Sequence, residues 1–171
     1  SVKIVIDYLT KLGHKKIGLL GGKNQIVRNL VDFREQYFIE IMKEYELYDE
    51  KFVKVDEFSA ESGYKMMREM LKLKERPTAV FCANDSIAMG AYKAVRERKL
   101  KIFDDISIIG FNDLKISQYM NPPLTTLRID TRIIAEETIN VLVELIEHNR
   151  SYRKKVYLPV ELIERESCGS I

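Results

Sequence analysis

Amides, carboxylates and one guanidinium stand where short apolar runs of this chain stop. The run Thr78–Cys82 gives way to Asn84 and Asp85, and Ile106–Ile109 leads through Gly-Phe into Asn112 and Asp113. Runs this short and this apolar read as buried parallel strands, and in open α/β sheets ligands bind outside the carboxyl ends of such strands. Asn offers donors and an acceptor, and Asp offers acceptors, which is the set a hydroxyl-rich ligand requires. Arg34, on an early turn of the helix after the first strand, is placed to fork onto two ligand oxygens. Phe58 closes an Asp-Glu-Phe segment after the second strand and offers an aromatic face for stacking on a sugar ring. Each residue also has a plainer reading. Asn84 or Asp85 caps the following helix, Asn112-Asp113 makes a turn, Arg34 is a solvated arginine beside Asp32 or Glu35, and Phe58 belongs to the core. Their coincidence at the strand ends of one sheet is what favours binding.

Catalytic readings find less support. Gly21-Gly22 follows a strand but matches neither G-x-G-x-x-G nor a phosphate loop ending in Lys-Ser/Thr. No G-x-S-x-G elbow occurs. His14 and His148 stand at helix ends, where they suit the helix dipole, and neither has a partner at metal-ligand spacing. Cys82 lies in an apolar run, which argues for burial over reactivity. Asp85, Asp113 and Asp130 do not form a phospho-acceptor set, because the first strand ends in Gly-Gly where such a pocket needs acidic residues. The chain is read as a non-enzyme, with no catalytic residue, cofactor or metal assigned.

These residues must be positioned by alternating helices and strands. Ile4, Ile6, Leu9 and Leu12 suggest a first helix stopped by Gly13, and Lys16–Leu20 a strand ended by Gly21-Gly22. A helical pattern covers Val31–Tyr45, Phe52–Val55 is a strand, and Ser59 is the N-cap of a helix over Glu61–Leu73. Thr78–Cys82, Ile106–Ile109 and Leu124–Ile129 are strands, and Asp85–Arg98 is an Ala/Met-rich helix. Thr131–His148 is a long helix with an apolar stripe of Ile134, Thr138, Val141, Leu142 and Leu145. Lys155–Glu164 reads as a final strand at an edge or bulge because of Pro159. Connections of this length suit right-handed crossovers, so the fold class is α/β with a doubly wound parallel sheet.

Composition agrees with a globular chain of one domain or slightly more: 171 residues, 46% hydrophobic and 32% charged. A net charge of +2 is too small to argue for a nucleic-acid groove or a membrane surface. No apolar run approaches the roughly 20 residues a spanning helix needs, and the first residues lack a signal-peptide pattern. Cys82 and Cys168 read as reduced thiols of a cytoplasmic protein.

Five pieces, in order, carry a family resemblance: L-G-H-K-K-I-G-L-L-G-G (Leu12–Gly22), S-A-E-S-G-Y (Ser59–Tyr64), P-T-A-V-F-C-A-N-D-S-I-A-M-G (Pro77–Gly90), D-I-S-I-I-G-F-N-D (Asp105–Asp113) and P-P-L-T-T-L (Pro122–Leu127). The chain resembles the carboxyl-terminal part of the effector-binding region of the LacI/GalR family of bacterial transcriptional regulators. The resemblance implies a periplasmic-binding-protein-like (type I) fold, in which two α/β subdomains close on a small effector. It implies that Arg34, Phe58, Asn84 and the Asn112-Asp113 pair face that effector. It also implies a homodimer in which Met89, Tyr92 and Met120 are shared between subunits, unless they pack within one chain.

Many carbohydrate-responsive members carry Asp where this chain has Asn112, and the D-F-R-E and G-F-N-D pieces look closest to galactoside-type regulators. Residues 1–171 would form the carboxyl-terminal portion of the effector-binding domain, without the helix-turn-helix through which the family binds operator DNA. Helix 131–148 would belong with the first subdomain, leaving its stripe partly exposed here. The expected protein is a cytoplasmic repressor that answers to a sugar and does not touch membranes. The alternative is a sugar-binding protein of a transport system with the same fold.

Overall fold

A computed structural model describes residues 1–23, 33–148, 152 and 154–171. Five helices, α1 (Val2–Lys11), α2 (Phe33–Glu44), α3 (Ala60–Met70), α4 (Asp85–Glu97) and α5 (Thr131–His148), alternate with six strands. The strands are β1 (Ile17–Lys23), β2 (Val53–Glu57), β3 (Ala79–Cys82), β4 (Ser107–Phe111), β5 (Thr125–Arg128) and β6 (Glu161–Ile163). They form one sheet in the order β2-β1-β3-β4-β5-β6. The first five run parallel, with Leu19 beside Phe81, Val80 beside Ile108 and Phe111 beside Leu127. β6 is an antiparallel edge.

The two-residue period of the strands splits the core into two layers. Leu20, Val80, Cys82 and Ile108 meet α3 and α4 on one face, among Met67, Met70, Ile87, Ala91 and Val95. Ile17, Leu19, Phe81, Ile109 and Phe111 meet α1 and α2 on the other, among Val5, Ile6, Leu9, Phe38 and Met42. Both sheet faces are thus covered by helices, the arrangement parallel strands demand. The doubly wound sheet is present, and the predicted edge position of the last strand holds.

Several local expectations need correction. β1 does not stop at Gly21-Gly22: both glycines pair with β2, opposite Val55 and Asp56. A Cβ on Gly22 would lie 2.2 Å from the Phe58 ring, so the glycine lets strand and aromatic approach. α1 buries Val2, Val5, Ile6 and Leu9, a true i, i+3, i+4, i+7 stripe, while Ile4 faces outward. Gly13 ends that helix with φ +97°, as predicted. The final strand is only Glu161–Ile163; Pro159 brings no N–H, and Val156 and Tyr157 are exposed. The helix over Val31–Tyr45 begins at Phe33 among the described residues, since Val31 and Asp32 lie outside them.

His14 is not a simple contact with a helix dipole. Its ring is buried, with Nδ1 2.9 Å from Thr78 Oγ1 and Nε2 3.0 Å from the Gly169 carbonyl. Burial lowers its pKa, against the opposing effect of the Gly169 hydrogen bond. The His148 side chain lies outside the described residues. Cys82 and Cys168 are free and buried, and burial raises both thiols, Cys168 to about 12.

Candidate functional site

The carboxyl ends of β1 to β4 converge on Arg34. The first turn of α2 carries it over the sheet edge, where Nη1 donates to the Ala83 carbonyl just past β3 at 2.6 Å. Its guanidinium lies 5.0 Å from the centre of the Phe58 ring and 5.2 Å from that of Phe111. Two aromatic faces beside one delocalised cation restrain it by cation–π attraction. Gly22 makes room for one ring, and the other is the last residue of β4.

Asn84 does what its plainer reading said, since its Oδ1 accepts the Ile87 N–H at 2.8 Å and so caps α4. It is partly exposed at the same sheet edge. Asn112 and Asp113 both take positive φ, +108° and +50°, an uncommon conformation for residues other than glycine. The backbone N–H of Asn112 donates to Leu127 at 2.8 Å, and its side chain is exposed. Asp113 is different: its carboxylate meets Arg165 Nη2 at 2.7 Å and Arg128 Nη2 at 2.7 Å. Burial pushes this carboxyl up, but hydrogen bonds from Arg165 and Arg128 prevail and hold it below its ordinary value.

Four participants escaped sequence reading: Phe111, the Ala83 carbonyl, and Arg128 and Arg165 on Asp113. Phe111 stands inside the quoted G-F-N-D piece, so its position next to Asn112 was the available signal. A main-chain carbonyl and arginines 15 and 52 residues from Asp113 leave no local pattern.

The arrangement has the chemistry of a binding site. It offers a fixed cation, the partly exposed Phe58 ring and the Asn84 and Asn112 amides, which suit a small polar ligand with one flat apolar side. Among the described residues no group of His, Cys, Asp and Glu could hold a metal ion.

On another face, α4 and the 3-10 turn Lys115–Tyr119 border a groove of about 670 Å³. Met89, Ile116 and Tyr119 expose apolar surface there. Tyr92 lines the groove but is itself buried, and its hydroxyl donates to the Pro122 carbonyl at 3.1 Å. Met120 lines it too, while packing partly against the interior.

The comparisons with known proteins agree with the fold. Residues 6–168 match the periplasmic binding protein-like domain. The chain is 39% identical over 164 residues to the HTH-type transcriptional repressor PurR of Serratia proteamaculans (strain 568), covering 95% of this chain and 47% of that protein. It is 34% identical over 170 residues to the HTH-type transcriptional regulator GanR of Bacillus subtilis (strain 168), covering 96% and 52%.

Among solved structures, a transcriptional regulator LacI from Bacillus cereus subsp. cytotoxis NVH 391-98 superposes with a TM-score of 0.89 at 27% identity, over 99% of this chain and 60% of that one. The lac repressor dimer bound to operator and the anti-inducer ONPF gives 0.86 at 27% identity, over 99% and 58%. A LacI family regulator from Enterococcus faecium with bound ribose gives 0.83 at 25% identity, over 99% and 62%.

The fold therefore defines a periplasmic-binding-protein-like domain. The chain belongs to the LacI/GalR family of transcriptional regulators and corresponds to the carboxyl-terminal part of their effector-binding region. It spans about half the length of the curated relatives it matches.

Proposed function

We propose that this chain supplies one wall of the effector cleft of a cytoplasmic, sugar-responsive transcriptional repressor. The observation that carries the reading is Arg34, bonded to the Ala83 carbonyl and close to the Phe58 and Phe111 rings, with Asn84 and Asn112 next in sequence to Ala83 and Phe111. A guanidinium and amides suit sugar hydroxyls, and an aromatic ring suits the apolar face of a pyranose. Bound ribose in a structural relative supports a sugar, and the D-F-R-E and G-F-N-D pieces favour one of galactoside type. Phe111, buried in the core, is proposed to position Arg34 and not to touch the ligand.

The groove along α4 is proposed as part of a two-fold dimer surface, with Met89 and Met120 shared and Tyr92 forming its floor. The lac repressor dimer on operator supports this arrangement. Operator contact is proposed for a helix-turn-helix outside these 171 residues. α5 leaves no residue of 131–147 buried, and Ile139, Leu142 and Ile146 face outward. That apolar surface is proposed to pack on the first subdomain. The effector would favour one closure state of the two subdomains and so shift operator affinity.

In the full-length protein, Arg34→Ala and Asn84→Ala are each expected to abolish release of operator by effector while operator binding itself persists. Reporter induction and gel-shift titration measure the two separately. Ordinary induction in both variants would sink the assignment of the cleft.

A further inference from the structure

Asp113 was expected to touch the effector, yet both of its oxygens are engaged elsewhere. Oδ1 accepts from Arg165 Nη2 at 2.7 Å. Oδ2 accepts from Arg128 Nε at 2.8 Å and meets Arg128 Nη2 at 2.7 Å. The Asp113 side chain is 8% and that of Arg165 17% exposed, so water screens this pair weakly, whereas Arg128 is 47% exposed. Arg165 is fixed in turn, with Nη1 donating to the Leu124 carbonyl at 2.7 Å.

The two arginines sit at particular places in the chain. Arg128 ends β5, just before the chain departs into α5, and Arg165 follows β6, where the chain has returned. One carboxylate therefore ties together the outgoing and the returning strand. The same residue shapes the effector turn. Two successive non-glycine residues with positive φ persist only where the surroundings hold them. Here the holding groups are the Asp113 clasp, the Asn112 N–H on Leu127 and the Leu114 N–H on Asp85 Oδ2 at 2.7 Å.

We infer that Asp113 is a positioning residue: it clasps Arg128 and Arg165, presents Asn112 to the cleft, and fastens that turn to both strands that connect the sheet to α5. The inference rests on the reading that Asn112 faces the effector. It adds a route by which movement of α5 relative to the sheet reaches the binding turn. The depressed pKa of Asp113 fits a carboxylate that stays ionised between two arginines.

Amide hydrogen exchange of the full-length protein, without any sugar, tests the clasp. Asp113→Asn and Arg165→Gln are each expected to speed exchange at Asn112 and Leu114 about tenfold, with amides of β1 and β3 far less affected. The double variant should exchange no faster than either single one, and Arg165→Lys should recover part of the protection. A wild-type rate at Asn112 in both single variants, or fully additive effects, would overturn the clasp. Release of operator by D-galactose is then compared for Asn112→Ala, Asp113→Asn and Arg165→Gln. A changed release in Asp113→Asn alone would make Asp113 a direct contact and overturn the inference. Normal release in Asn112→Ala would refute the effector-site reading while leaving the exchange result to decide the clasp.

Discussion

Asp85 shows how much one buried carboxylate can organise. It is fully buried and accepts the Leu114 N–H at 2.7 Å, the Ser117 hydroxyl at 2.8 Å and the Thr126 hydroxyl at 2.7 Å. Gly110 clears its seat, since a Cβ there would lie 2.2 Å from Oδ1. Burial raises its pKa, and the hydrogen bonds only moderate that shift. Asp85 thus joins the start of α4 to β5 and to the segment that carries the Asn112-Asp113 turn and borders the groove along α4. Asp85→Ala would leave three inward-facing donors without an acceptor and is expected to cost roughly 3 kcal/mol. Asp85→Asn keeps one acceptor oxygen and should cost less. Urea denaturation of the two variants measures the difference, and equal midpoints would show that the carboxylate does not organise this region. Arg34 works differently: its environment fixes where the cation sits, so its substitution is expected to affect effector response before stability.

At the scale of elements, the closest packing is between α3 and α4. A Cβ on Gly90 would lie 1.8 Å from the Ala60 carbonyl oxygen, and one on Gly63 would lie 2.2 Å from that of Ile87. These are backbone atoms that no rotamer change can move. Gly90→Ala must push the helices apart over a close-packed core and is expected to cost about 3 kcal/mol. Thermal unfolding reads this directly, and an unchanged midpoint would contradict it. Displacement of α4 would also move Asn84, the residue that caps it.

Most of this framework was legible in the sequence because the signals are local. Apolar runs ending in Asn marked β3 and β4, Ser59 marked the start of α3, and Gly13 marked the end of α1. The same locality explains the errors. Gly21-Gly22 looked like a strand end because glycine commonly breaks strands, whereas here it makes space for Phe58. His14 looked like a helix terminus because Thr78 and Gly169, its actual partners, are distant in sequence. The Asp113 clasp spans 52 residues to Arg165, beyond any periodic pattern.

Taken whole, the molecule has a closed end and an open one. The segment after β6 returns along the sheet: the Ser167 hydroxyl donates to the Ile108 carbonyl, and the Ile171 N–H donates to Leu12 at 3.0 Å. At the opposite edge stand Arg34, Phe58, Asn84 and Asn112, with Phe111 buried beneath Arg34, and α5 exposes Ile139, Leu142 and Ile146. Such a sheet edge, and a helix with none of residues 131–147 buried, fit the proposed half of a two-jawed binding domain. The most direct test is a thermal-unfolding comparison of the full-length wild type and Arg34→Ala, with D-galactose, galactosides, ribose and purine bases each added. At a hundredfold excess over its dissociation constant, a galactoside-type sugar should stabilise the wild type by about 2.7 kcal/mol and leave Arg34→Ala unshifted. An equal shift in both proteins, or stabilisation by purine bases alone, would contradict a sugar-binding cleft built on Arg34.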